Sequence, residues 1–331
     1  MKFAELKRRE FIAVIGGAAA SLPLAARAQQ PGMPIVGLLR GTPAAPFRHL
    51  VTALRQGLGD EGLVESRNVV IAQRWADNHL DRLPAMAAEL IRREVAVIVG
   101  NVDAVEAARA ATETIPIVFV TGEDPVKSGL VKSFNRPESN LTGVTFFGGA
   151  QLNVKRLELL RDLVPAATVV TALVDLSYPA IDPELPDVVA AGRVLGRQIA
   201  VVKISGERDF EPAFETIQAA GAAALLVSGS PFFTSQRRAL IALAARYAIP
   251  AIYDLREFVA DGGLISYSAS FTNAYRQAGA YAGKLINGAK PSELPIRQPV
   301  TFELAVNLKT AKALGLDVPS SIQLRADEVI E

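Results

Sequence analysis

From Pro34 onward, short runs of β-branched and aliphatic residues alternate with longer stretches whose apolar positions recur every three to four residues. The first run, residues 35–39, precedes a stretch of helical spacing over 47–61. Runs at 69–76, 95–100 and 115–122 follow, separated by helical patterns over 80–93 and 103–114, and a further apolar stretch spans 140–147. A second set begins there: strands over 168–174, 198–204, 223–228 and 251–253, with helices over 151–163, 185–195, 209–220 and 235–247. Strands that are apolar almost throughout belong to sheets covered on both faces. Repeated strand–helix–strand units with right-handed crossovers build parallel sheets flanked by helices. The pattern therefore predicts an α/β protein with two doubly wound parallel-sheet lobes. The chain's 331 residues also exceed the size at which one hydrophobic core keeps growing. Residues 262–270 read as a return crossing to the first lobe and 272–287 as a helix packed on it. A proline-containing segment, 290–299, then leads to a strand and helix over 301–316 that close on the second lobe.

The first thirty residues follow a different rule. Lys7, Arg8 and Arg9 precede an apolar stretch over 11–24, which leads into Ala26, Arg27 and Ala28, the layout of a secretory signal. Paired arginines before Glu10, Phe11 and Ile12 match a twin-arginine signal. The apolar run falls short of the roughly 20 residues that span a bilayer and contains Gly16, Gly17 and Pro23. Residues 1–28 are thus expected to be a cleaved signal peptide, with processing after about Ala28, periplasmic location and no stable membrane insertion. The chain has no cysteine, which rules out a lipidated cysteine, a thiolate metal site, a cysteine nucleophile and a disulfide. A net charge of +1 without a basic run leaves no electrostatic footprint for nucleic acid. The two histidines, His49 and His79, have no metal-ligand spacing, and GxSxG, Walker A and GxGxxG are absent. The chain reads as a binder that is not an enzyme and needs no cofactor or metal. His49 is expected on the exposed side of the first helix and His79 at a turn.

Several blocks carry a specific likeness: QGLGDEGLVESRNVVIAQRWAD (56–77), TIPIVFVTGEDPVKSGLVKSFNRPESNLTGVT (114–145), KRLELLRDLVP (155–165), ALLVSGSPFF (224–233), REFVADGGLISY (256–267), YRQAGAYAGKLINGAKPSELP (275–295), FELAVNLKTAKALGL (302–316) and RADEVIE (325–331). Over essentially the whole mature length the chain resembles the ABC-transporter substrate-binding family with a type I periplasmic-binding fold, which includes tryptophan- and tyrosine-binding members. The resemblance implies two lobes joined by a three-segment hinge, with residues 31–143 plus 269–292 in lobe 1 and 147–266 plus 298–331 in lobe 2. Hinge crossings are expected near 143–147, 266–270 and 295–299. It also implies a small-molecule ligand, an amino acid or aromatic compound, held in the cleft and enclosed by hinge closure. The implied partners are the permease subunits of an ABC importer, with the binding protein itself monomeric. A periplasmic ligand-sensing partner of a membrane receptor is the alternative role for the same architecture.

In wound α/β sheets ligands sit beyond the carboxyl ends of the strands, where helix amino-termini present free N–H groups. That rule selects Arg40, Gly41 and Thr42 after the first strand, either as ligand contacts or as a simple turn. It selects Asn101, Val102 and Asp103 after the third, where Asp103 reads as a helix cap that would disfavour a ligand carboxylate. Asp124 is either a cleft carboxylate or, with Pro125, a turn former. Phe146 and Phe147 either stack on a planar ligand or pack the hinge. The second lobe contributes Ser177, Ser230, Tyr253 and Asp254. Asp254 is either the counter-ion of a ligand amino group or the cap of the next helix.

Overall fold

The computed structural model describes residues 32–137, 139–146, 150–178 and 185–331. The expected signal segment and Phe147 lie outside the described residues. Elements are numbered in chain order. The first sheet contains β1 (Ile35–Arg40), β2 (Val70–Trp75), β3 (Val97–Asn101), β4 (Ile117–Thr121) and β5 (Leu141–Thr145), in the order β2-β1-β3-β4-β5. Every pairing is parallel. Each residue of β3, β4 and β5 is buried, because helices cover both faces. Those helices are α1 (Arg48–Asp60), α2 (Leu83–Arg92), α3 (Val102–Ala111) and, from much later in the chain, α10 (Phe271–Ile286).

The second sheet orders β12 (Glu328–Ile330), β11 (Phe302–Asn307), β10 (Ile265–Ala269), β9 (Ala251–Tyr253), β8 (Ala224–Val227), β6 (Val169–Asp175) and β7 (Gln198–Ile204). Its helices are α4 (Ala150–Leu163), α5 (Leu185–Val194), α6 (Phe210–Ala219), α7 (Pro231–Ser235), α8 (Arg237–Arg246), α9 (Arg256–Ala260), α11 (Leu308–Ala313) and α12 (Ser320–Gln323).

Three details differ from the sequence pattern. The second sheet is not wholly parallel: β11 runs antiparallel to β10, with Ser266 opposite Ala305, because the chain re-enters this lobe from the other one rather than through a helix crossover. The segment read as a return crossing is largely β10 itself, and the turn toward the first lobe comes at Ser270, whose Oγ accepts a hydrogen bond from the Asn273 N–H at 3.3 Å. The helix expected over 235–247 is α8, and a short helix the pattern did not show, α7, precedes it, with Gln236 between them.

The third crossing is anchored before it leaves. Arg297 N–H donates to Gly143 C=O at 3.0 Å and Thr145 N–H donates to Arg297 C=O at 2.8 Å, adding one residue to the β5 edge. α10 crosses α1 at a pair of glycines. A Cβ on Gly57 would lie 1.8 Å from the Arg276 carbonyl oxygen, and one on Gly279 would lie 2.2 Å from that of Leu54. The two helices therefore meet backbone to backbone. One buried apolar cluster includes residues of both lobes, among them Leu54 and Tyr275 on one side and Phe214 and Phe233 on the other.

Candidate ligand-binding site

Between the carboxyl ends of the two sheets lies a cavity of about 860 Å³, its solvent-open mouth included. Strand register explains its first-lobe wall. Leu39 pairs with Gly100 and Asn101 with Val120, so Arg40, Asn101 and Thr121 end three adjacent strands and stand side by side. Phe47, Phe146 and Phe271 add aromatic surface. The opposing wall carries Asn153 and Arg156 of α4, Tyr178, Gly229 and Ser230 after β8, and Asp254 after β9.

Arg40 is 1% exposed. Its Nε donates to Thr42 Oγ1 at 3.2 Å and its Nη1 donates to the Tyr275 hydroxyl. The guanidinium carbon sits 4.3 Å from the Phe47 ring centroid, 5.2 Å from Tyr275, 5.8 Å from Trp75 and 6.0 Å from Phe271. Burial pulls its pKa down to about 9, opposed by the charge of Asp103. Asn101 occupies the cap position of α3 but turns its side chain elsewhere: Oδ1 accepts from Gly41 N–H at 3.1 Å and Nδ2 donates to Asp103 Oδ2 at 2.9 Å. Asp103 is thus not the cap the sequence suggested. It faces a second recess of the cleft, shared with Gly41, Thr42, Asp175 and Ser177. Burial raises its carboxyl above the usual range; Asn101 and Arg40 oppose that shift and Asp175 adds to it.

On the other wall, Asp254 is buried at the end of β9 and lies over Gly229, where a Cβ would come within 2.8 Å of its Oδ2. The absence of a side chain at 229 is what admits the carboxylate. α9 starts with Leu255, not Asp254, in the cap position. Ser230 caps α7, its Oγ accepting from Phe233 N–H at 2.9 Å. Arg156 donates from Nε to Tyr267 C=O at 2.9 Å and from Nη1 to Asn153 Oδ1 at 3.0 Å. Ser177 donates its hydroxyl to Asp175 Oδ1 at 2.6 Å.

Of the residues selected by the strand-end rule, Arg40, Asn101, Val102, Phe146, Ser230 and Asp254 line the main cavity. Gly41, Thr42, Asp103 and Ser177 line the second recess. Asp124 and Tyr253 line neither. The Asp124 carboxylate accepts from Val126 and Lys127 N–H at 2.9 and 3.1 Å and so builds its turn. Tyr253 is 1% exposed and stacks on Phe258 at 4.6 Å, with burial pushing its hydroxyl pKa far up. Sequence reasoning missed Phe47, Phe271 and Arg156. The two phenylalanines flank helix starts and read as core; Arg156 sits in an amphipathic helix and reads as solvated. The available signal was position, since α4 and α10 each begin where the chain changes lobes.

Two further contacts join the lobes. His49 Nε2 lies 3.1 Å from Glu257 Oε1, and Asn78 Nδ2 donates to Ser235 Oγ at 3.2 Å. His49 therefore spans the cleft edge instead of only facing solvent. His79 precedes the short 3₁₀ turn Leu80–Arg82 and makes no side-chain cap bond to it. No helix among the described residues is long and apolar enough to cross a membrane.

Comparison with known proteins agrees with this geometry. A tyrosine-binding protein of Clostridioides difficile (strain R20291) is 22% identical over 275 residues, 83% of this chain and 77% of the relative. The crystal structure of an ABC domain in complex with L-Trp from Streptococcus pneumonia matches with a TM-score of 0.79 at 22% identity, covering 90% of this chain and 99% of that one. A conserved domain protein from Vibrio cholerae O1 biovar El Tor strain N16961 matches with a TM-score of 0.82 at 20% identity over the same shares. Both likenesses are of fold, the two-lobed type I periplasmic-binding architecture. The model of the family described as ABC transporter substrate binding protein matches residues 46–330, and this chain belongs to that family.

Proposed function

We propose that the protein is the solute-binding component of an ABC-type importer, working in the periplasm after export and capturing a small organic solute, an amino acid or aromatic compound, between its lobes. The observation that carries this reading is a cavity walled by both lobes, with buried charges of both signs and three phenylalanine rings. Small-molecule sites combine an apolar lining with a few placed polar groups in this way. The tyrosine-binding relative and the L-Trp complex support an amino-acid-like ligand. Solute docks on the open cleft, the lobes rotate about the three crossings, and the closed form is what a permease would meet. Capture and release need no bond to be made or broken, and neither histidine lines the cavity.

A ligand bound only by the folded state stabilises it by about 2.7 kcal/mol at a hundred times its Kd. Differential scanning fluorimetry with amino acids, aromatic acids and dipeptides is therefore expected to show a rise in Tm for at least one group. Mass spectrometry of small molecules released from the purified protein is expected to find the natural solute. Flat melting curves across the panel together with nothing released would sink the proposal.

The contact between His49 and Glu257 acts as a clasp for the closed form. Glu257→Ala is expected to weaken ligand binding by no more than about 1 kcal/mol, the range of a partly exposed pair, and to enlarge the ligand-free radius of gyration in solution scattering. A larger affinity loss would place Glu257 in the site itself.

A further inference from the structure

The first-lobe wall of the cavity holds a cation to which no carboxylate among the described residues is bonded. Arg40 is almost fully buried, yet no carboxylate among the described residues lies within ion-pair distance of it. Its Nε and Nη1 are engaged by Thr42 and Tyr275, while its Nη2 makes no hydrogen bond to any described residue. A buried charge in that condition is costly unless something compensates it. The rings of Phe47, Tyr275 and Trp75 offset part of the cost through their π faces. Asp103 is the acidic group whose charge reaches Arg40, but its carboxylate is held by Asn101 and faces the other recess. Register sets Arg40 beside the first turn of α3, whose N–H groups and dipole add positive potential at the same point.

We infer that Arg40 determines the specificity of this cleft: its guanidinium receives the carboxylate of a solute whose apolar body lies against Phe146 and Phe271. This assignment rests on the solute-binding reading above and narrows it to organic acids, amino acids among them. It also reverses the expectation that Asp103 disfavours a ligand carboxylate, since Asp103 does not cap α3 and lines a different recess. A planar fork suits a carboxylate better than a point charge does.

The test pairs acids with their primary amides: L-tryptophan, 3-phenylpropionate and benzoate, each measured by calorimetry and by thermal shift on the full-length mature protein. At least one acid is expected to bind, its amide about 30-fold or more weakly, as removing one partner of a buried charge pair requires. Arg40→Met is expected to lose the acid by a similar factor, and Arg40→Lys to retain part of the affinity. Cooperative melting of ligand-free Arg40→Met checks that it folds; if it does not, the acid and amide comparison on the unsubstituted protein decides alone. Equal binding of acid and amide, undiminished acid binding by Arg40→Met, or no binding of any acid overturns the assignment. Binding of amides alone overturns the role of Arg40 while leaving solute capture intact.

Discussion

Gly57→Ala is expected to lower the melting temperature of the ligand-free protein by roughly 6 °C, while Gly59→Ala, two positions along the same helix, raises it. At Gly57 the added methyl would stand 1.8 Å from the Arg276 carbonyl oxygen and 2.8 Å from the Ala280 nitrogen. Both are backbone atoms of α10, so no side chain can swing aside and the whole helix has to retreat. That places the cost at the top of the overpacking range, about 3 kcal/mol, and a domain of this size loses about 2 °C per kcal/mol. At Gly59 nothing lies within 4 Å of the same methyl. There the substitution only trades glycine's conformational freedom for alanine's helix propensity, a gain of about 0.5–1 kcal/mol. Thermal unfolding of the two variants under one buffer makes the comparison. Equal melting temperatures would mean that α1 and α10 do not meet backbone to backbone.

Asp254→Ala is expected to weaken an amino-bearing ligand by about 2–5 kcal/mol, some 30-fold to several thousand-fold in Kd. The carboxylate is buried on the second-lobe wall, and glycine at 229 is what lets it lie there. In so dry a place a ligand ammonium gains a charge-assisted hydrogen bond that water barely screens. L-Tryptophan and 3-(indol-3-yl)propionate differ only by that ammonium, so calorimetry on the two isolates its contribution. The substitution should spare the indolepropionate. An unchanged tryptophan affinity removes Asp254 from ligand recognition.

The sheets were readable in the sequence wherever burial on both faces leaves an unbroken apolar run. The strands at Ala224–Val227 and Ala251–Tyr253, buried throughout, fall where the pattern puts them. Direction was not readable: Phe302–Asn307 looks the same whether it runs parallel or antiparallel, and only the path of the chain between lobes decides. Nor was β12, whose three residues include an acidic one and are only partly buried. At the site, the strand-end rule selected Arg40, Asn101, Ser230 and Asp254 on position alone. It did not reveal what Arg40 does, because Tyr275, which its guanidinium meets, comes 235 positions later. Asp103 looked like a cap because sequence does not say where the helix begins; in the fold Asn101 takes the cap position and its amide holds the Asp103 carboxylate within the first turn.

The order of strands in the second sheet has a consequence for synthesis. β10 is made before α10, and its partner β11 only afterwards. During translation residues 265–269 therefore emerge as an open edge with unpaired main-chain groups, a template for wrong pairing, and stay so until 302–307 leave the ribosome. At about 5–20 residues per second that interval lasts a few seconds. A chaperone that shields the nascent chain has most to do in that interval, and aggregation during expression should respond to the spacing between these two strands more than to the stability of either lobe.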